Sequence, residues 1–153
     1  MIKVHGVHGS PYVRKVFIAL DIKDVPYEIV RQMPFSEDAE YLKINPLGKI
    51  PSLVDGDLTL CDSKVICQYL DDAYPEPRLY PMKPNDWAMA LWYEDLTGGR
   101  VSELAASIFF QRFMRPLAFK QEPDEELIAR IIEKDLPPML DYLESQIPMG
   151  RFI

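Results

Sequence analysis

The spacing of apolar residues changes period several times along the chain, and each change marks an element. Residues 2–5 alternate as a short strand. Over 11–21 the apolar residues Val13, Val16, Phe17 and Leu20 share one helical stripe. Ser10 ahead of that stripe is a favourable N-cap, and Pro11 a favourable first helical residue. Residues 26–30 are β-rich and alternate again, which predicts a second strand. A short helix is expected over 36–44 with Ser36 as its N-cap, followed by a turn at Asn45-Pro46-Leu47-Gly48. Residues 50–54 and 57–60 read as two strands around an Asp55-Gly56 hairpin turn. Residues 62–73 predict a helix capped by Asp62, with Ile66, Tyr69, Leu70 and Ala73 on its inner face.

The predicted order is βαβαββα, an α/β arrangement. Pro75, Pro77, Pro81 and Pro84 follow within ten residues. No helix or central strand survives that density of proline, so this stretch is a linker. Helical patterning then continues to the end, which divides the chain into residues 1–79 and an all-α part over 80–153. Asn85 or Asp86 is expected to cap the first long helix, and Gly98-Gly99 to loosen or kink it. Residues 113–123, with Pro116 and Pro123, are expected to be a connection. A last helix is expected over 124–146, bent or restarted at Pro137-Pro138.

Composition narrows the function classes. The 153 residues carry a net charge of −7, which argues against nucleic acid as a main partner, since phosphate backbones attract clustered Lys and Arg. No apolar run reaches the ~20 residues of a membrane span, and 1–10 lacks the apolar stretch of a signal peptide. Cys61 and Cys67 stand in a sequence without secretory marks, so reduced thiols and a cytoplasmic location are expected, and as they form no Cys-x-x-Cys pair, dithiol redox chemistry is not. His5 and His8 could share a face, yet further ligands are lacking, and no metal site is expected.

Three stretches carry possible chemistry, and each has a structural reading beside the functional one. Ser10 caps a helix; its hydroxyl could also donate to a thiolate there, where the helix dipole lowers a thiol pKa from about 8.5. His5 and His8 stand near it as possible bases, although no triad arrangement is evident. Pro51 suits an edge strand; if the Ile50-Pro51 bond is cis, the Ile50 backbone could pair with an extended ligand. Asp62-Ser63 suits a helix cap; the free N–H groups favour a carboxylate and the Asp62 carboxylate an ammonium, which together fit an amino-acid end group.

On the βαβαββα frame these stretches, "GSPYVRKV" and "NPLGKIPSLVDGDLTLCDSKVICQYLDDAYPEP" with the proline linker, resemble the glutathione S-transferase family. The resemblance covers 1–79 by motif and the rest by helical character. It implies a thioredoxin-like domain with a mixed four-stranded sheet, a helical second domain, and glutathione as co-substrate. Ser10 matches the thiol-activating serine of the serine-type classes. Ile50 and Pro51 match the backbone pair that holds the cysteinyl part, and Asp62 and Ser63 the pair that holds the γ-glutamyl end. Lys49 matches a residue near the glycyl carboxylate. A second-substrate pocket is implied between the halves, with Tyr12, Phe109, Phe110, Arg112 and Phe113 in its wall; the plain alternative places these phenylalanines in the helical core. A homodimer is implied, with the helices that begin at Asp62 and Asn85 near its interface.

Members of this family continue beyond "MGRFI" into a Ser-x-x-Asp motif that caps a central helix, so the helical half is expected to be incomplete. The expected activity is transfer of glutathione to a small electrophile. Two alternatives stay open: a non-catalytic binding or scaffold protein, and a glutathione-dependent isomerase, dehalogenase or peroxidase.

Overall fold

The computed structural model describes residues 1–147; "MGRFI", on which the expectation of further helices rests, lies outside the described residues. The first part runs β1 (Ile2–Gly6), α1 (Pro11–Ile22), β2 (Tyr27–Arg31), α2 (Ala39–Ile44), β3 (Ser52–Asp55), β4 (Leu58–Cys61) and α3 (Ser63–Ala73). The sheet order is β2-β1-β3-β4. β1 and β2 are parallel, joined through α1, while β3 runs antiparallel to both β1 and β4. The expected βαβαββα order and mixed four-stranded sheet are therefore present.

The apolar periods explain the packing. Val13, Val16 and Leu20 on α1, and Ile66 and Leu70 on α3, are fully buried together with Val4 of β1 and Leu53 of β3. Each such side chain contributes on the order of 1.5–3 kcal/mol on leaving water. The inner face of α3 differs from the expectation. Ala73 is exposed and Tyr69 half-buried, whereas Cys67 and Asp71 are buried. Tyr69 turns its hydroxyl to Asp55 Oδ2 at 2.8 Å, which ties the hairpin to α3.

Two boundaries move for local reasons. The α2 N-cap is Asp38, whose carboxylate accepts from Glu40 N–H at 2.8 Å, and not Ser36. Ser36 is held elsewhere, its N–H donating to Gly48 C=O at 3.0 Å. Gly48 has φ +61, and a Cβ there would stand 2.4 Å from Ser36 C=O, so only glycine fits. In the hairpin, Asp55 faces Leu58, which makes Gly56-Asp57 the two-residue turn, one step later than expected. Gly56 supplies the positive φ (+58) that the first turn position requires.

Sequence reading missed a buried ion pair. Lys23, just past α1, and Asp71, near the end of α3, meet at 2.8 Å with both side chains almost wholly out of solvent. Lys23 Nζ also donates to the carbonyls of Tyr74 and Pro77 at 2.6 and 2.9 Å. The Asp71 carboxylate accepts from the N–H groups of Leu79 and Tyr80 at 2.7 and 3.3 Å. Every donor of the ammonium is used, as burial demands. This pair fastens the proline linker to the C-terminal ends of α1 and α3.

The helical part forms a second compact unit from Trp92 onward; the first ends at Leu91, inside α4 (Pro84–Asp95). Pro84 is itself the first residue of α4, one ahead of Asn85, as suits a proline with no N–H to satisfy. Beyond α4 lie a π-helical turn (Leu96–Val101) at Gly98-Gly99, α5 (Ser102–Phe109), a second π-helical turn (Phe110–Met114) and α6 (Arg115–Phe119). Helix thus passes through Pro116, where a connection was expected. A proline ring crowds the carbonyl four residues back, and the wider π-helical turn just before it supplies the room. The connection is shorter and begins at Lys120, whose φ of +56 ends the helix. α7 (Glu125–Arg130), capped by Asp124, a third π-helical turn (Ile131–Asp135) and α8 (Pro137–Gln146) follow, with the restart at Pro137 as expected.

Candidate functional site

Strand register places the first set of candidate residues. His5 faces Ser52 on β3, and Ser52 faces Cys61 on β4. One step beyond that row lie Gly6 on β1, Pro51 ahead of β3, and Asp62 after β4. The loop to Ser10, the Ile50-Pro51 segment and the Asp62-Ser63 cap therefore leave the same end of the sheet.

Ser10 is half-buried at the N-cap of α1, and its Oγ accepts from Val13 N–H at 3.4 Å. Its own N–H is held by Val7 C=O at 3.1 Å. The cap uses an oxygen lone pair, so the hydroxyl proton stays available to an incoming group. Of the two nearby histidines, the His5 ring sits against Tyr41 at 5.7 Å and the His8 ring against Phe17 at 5.0 Å. Burial, aided by the charge of Lys3, holds the His5 pKa below its ordinary value, with Glu28 opposing.

The Ile50-Pro51 bond is cis. Ile50 and Pro51 are buried, while Lys49 is exposed. Asp62 is an exposed residue at φ +87, a conformation L residues seldom hold. Its Oδ1 accepts from Lys64 N–H at 2.8 Å and Val65 N–H at 3.4 Å. Ser63 behind it is buried as the first residue of α3. The arrangement offers, at one sheet end, two helix N-termini and a carboxylate. The helix N-termini favour an anion and the Asp62 carboxylate a cation. Among the described residues, no group of three or more His, Cys, Asp or Glu could hold a metal ion.

Sequence reading saw Asn45 only as a turn former. Asn45 is buried, and its Nδ2 donates to Lys49 C=O at 2.8 Å and to Ser52 Oγ at 3.2 Å. Tyr41, also buried, donates its hydroxyl to the same Lys49 carbonyl at 2.5 Å. Burial pushes the Tyr41 hydroxyl above its ordinary pKa, more than the bonds to Ser52 and Asn45 draw it down, which keeps it a neutral donor.

The other candidates lie apart along the chain. Tyr12 is half-buried on α1. In the helical unit Phe109, Phe110 and Phe113 are 55%, 42% and 62% exposed, so none belongs to that unit's core. Phe109 and Phe113 stack on each other with ring centres 5.3 Å apart. Arg112 pairs with Glu125 at 2.7 Å on the surface.

Residues 4–78 match the model of the glutathione S-transferase N-terminal domain. Over 97% of its length the chain is 30% identical to the GST-like protein YibF of Escherichia coli, covering 71% of it. The chain belongs to the glutathione S-transferase family. It is 39% identical over 89 residues to glutathione S-transferase Z2 of Arabidopsis thaliana, which is 56% of this chain and 39% of that protein. The theta class glutathione S-transferase of Xanthomonas axonopodis pv. citri, solved with glutathione bound, superposes with a TM-score of 0.83 at 28% identity. That match spans 99% of this chain and 75% of the other. The fold is that of the family, a thioredoxin-like N-terminal domain followed by a helical one.

Proposed function

We propose that the chain binds glutathione through residues 1–79 and activates its thiol for addition to a small electrophile. The observation that carries this reading is the state of Ser10. Its oxygen caps α1 while its proton remains to be donated, at the sheet end shared with Ile50-Pro51 and Asp62-Ser63. The family membership and the glutathione bound to the Xanthomonas relative support it.

In the mechanism, Ser10 donates to the glutathione sulfur, and the positive end of α1 adds to its field. Both favour thiolate over thiol and lower the thiol pKa. The thiolate then attacks the electrophilic carbon, and the displaced group leaves with the bonding pair. Ser10 itself forms no covalent bond. Asp62 takes the ammonium of the γ-glutamyl end and Ser63 its carboxylate. Ile50 pairs with the cysteinyl backbone beside Pro51, and Lys49 attracts the glycyl carboxylate. Tyr12 and the exposed Phe109, Phe110, Arg112 and Phe113 offer apolar and cationic contacts to the electrophile. The whole protein works as a cytoplasmic homodimer in this reading.

The test is a glutathione titration by calorimetry with thiolate absorbance followed against pH, on wild type and Ser10→Ala. Wild type binds, and its bound thiol ionises well below about 8.5. Ser10→Ala binds but loses that shift, and turnover of a chloronitrobenzene falls about a hundredfold, as when one charge-stabilising donor is removed. Unchanged turnover in Ser10→Ala would remove the role assigned to the serine. Binding without any turnover by wild type would favour a scaffold.

A further inference from the structure

Behind the Ile50-Pro51 segment lies a set of buried polar groups that the mechanism above does not use, with Cys61 at its edge, its Sγ 3.6 Å from Ser52 Oγ and donating to Ile44 C=O at 3.4 Å. Tyr41 within α2 and Asn45 just past its end both donate to Lys49 C=O. A carbonyl only accepts, so the single Tyr41 proton is committed to it. The Tyr41 oxygen, 2.9 Å from Ser52 Oγ, therefore accepts the Ser52 proton. Asn45 Nδ2 reaches Ser52 Oγ as well, and Asn45 Oδ1 accepts from Leu47 N–H at 3.0 Å. Tyr41 and Asn45 are 3% and 2% exposed, and Ser52 is fully buried. Such a network is costly to half-satisfy, and here each polar side chain in it has a partner.

The consequence falls on Ile50. The Lys49–Ile50 peptide is trans, since the cis bonds are Ile50-Pro51 and Glu76-Pro77. In a trans peptide the C=O and the next N–H point in opposite directions. Two donors from α2 and its C-cap fix the Lys49 carbonyl, so the Ile50 N–H points away from α2. The Ile50 side chain is anchored in the core. Among the described residues no backbone partner takes the Ile50 N–H.

We propose that Tyr41, Asn45 and Ser52 form a positioning platform that holds the Lys49–Ile50 peptide plane so that Ile50 N–H is presented to a backbone carbonyl of a bound peptide. The proposal rests on the glutathione reading and adds to it three residues that touch no substrate. A pre-aligned donor spares the ligand the entropy of ordering that loop on binding. The platform therefore acts on glutathione affinity and leaves thiol ionisation to Ser10.

The test measures the dissociation constant for glutathione, KM for each substrate, and the pKa of the bound thiol. The proteins are wild type, Tyr41→Phe, Asn45→Ala and Tyr69→Phe. Tyr69→Phe is the matched control, because it also removes one tyrosine hydroxyl from the hairpin's supports, at the Asp55 end. Tyr41→Phe and Asn45→Ala each weaken glutathione about five- to tenfold, the loss of one well-placed hydrogen bond. KM for glutathione rises in step, while KM for the electrophile and the bound-thiol pKa stay put. Tyr69→Phe lowers Tm comparably and leaves glutathione affinity unchanged. If Asn45→Ala does not fold, the nearly isosteric Tyr41→Phe decides alone. Equal glutathione affinity in wild type and folded Tyr41→Phe overturns the platform while leaving the glutathione reading intact. Equal losses in Tyr41→Phe and Tyr69→Phe overturn it too, since the effect is then general loosening. A wild type that binds no glutathione overturns the functional reading and the platform with it.

Discussion

The two compact units solve the problem of burial differently. The sheet-centred unit has a continuous core, in which α1 alone buries Val13, Val16, Phe17, Ala19 and Leu20. The described helical unit buries few side chains: Leu104, Ile128 and Ile131 among the apolar ones, and Gln111 among the polar. α6 and α8 bury none, nor does α4, which leads into it. The comparison teaches where precision can be held. A candidate site that needs peptide planes fixed to fractions of an ångström sits on the unit with the dense core. The unit with exposed phenylalanines presents surface that its own packing leaves free to vary.

Removing the Lys23 ammonium tests the first half of that statement with the largest effect. Lys23→Met leaves the buried Asp71 carboxylate with only the more exposed Arg78 guanidinium, 3.4 Å away, as a charge partner, and should cost about 3 kcal/mol in urea unfolding. A companion Lys23→Met/Asp71→Leu variant, which removes both charges, should recover most of the loss. If the double variant is no better than the single one, packing rather than charge explains the effect. The same pair sets an acid limit. Burial alone would push the Asp71 carboxyl up, but bonds from Lys23, Leu79 and Tyr80 outweigh it and hold the pKa below 3.8. Its contribution is therefore complete above pH ~4 and is lost as pH falls through the lower folded value. Wild type should lose stability in that acid range more steeply than the double variant does.

Deleting apolar volume sharpens the contrast next. Leu70→Ala, at a fully buried site in the sheet-centred core, should cost about 2–5 kcal/mol by chemical denaturation. Phe113→Ala, at a 62% exposed site, removes a larger side chain yet should change stability by about 0.5 kcal/mol or less. Comparable losses for the two would mean that the helical unit is packed as tightly as the sheet. Phe113→Ala should instead be visible in KM for an electrophile, with glutathione affinity unchanged.

The difference between the units also explains which expectations held. Strand and helix order through α3 was legible because each element carries a clear period, and the burial of Val13, Val16 and Leu20 follows it residue by residue. The failures are local competitions. Asp38 took the α2 cap because the helix starts only at Ala39, and the Ser36 hydroxyl accepts from Asp38 N–H at 3.3 Å instead of from the first turn. Pro116 stayed helical because a π-helical turn relieved its ring. Asp71 was not singled out at all, because nothing near it in the chain announces a lysine 48 residues away.

Sequence by itself determined the βαβαββα order, the family, and the residue types at the candidate site, because periodicity, caps and short motifs are local properties. It named Ser10, Lys49, Ile50, Pro51, Asp62 and Ser63 as one set through resemblance. Only the tertiary structure decided that their segments leave one end of the sheet, which follows from the His5–Ser52–Cys61 register. Only it joined Tyr41 and Asn45 to the Lys49 carbonyl, and Lys23 to Asp71. Those contacts connect positions far apart in the chain or turned toward one another by a loop, and strand register and core packing bring them together.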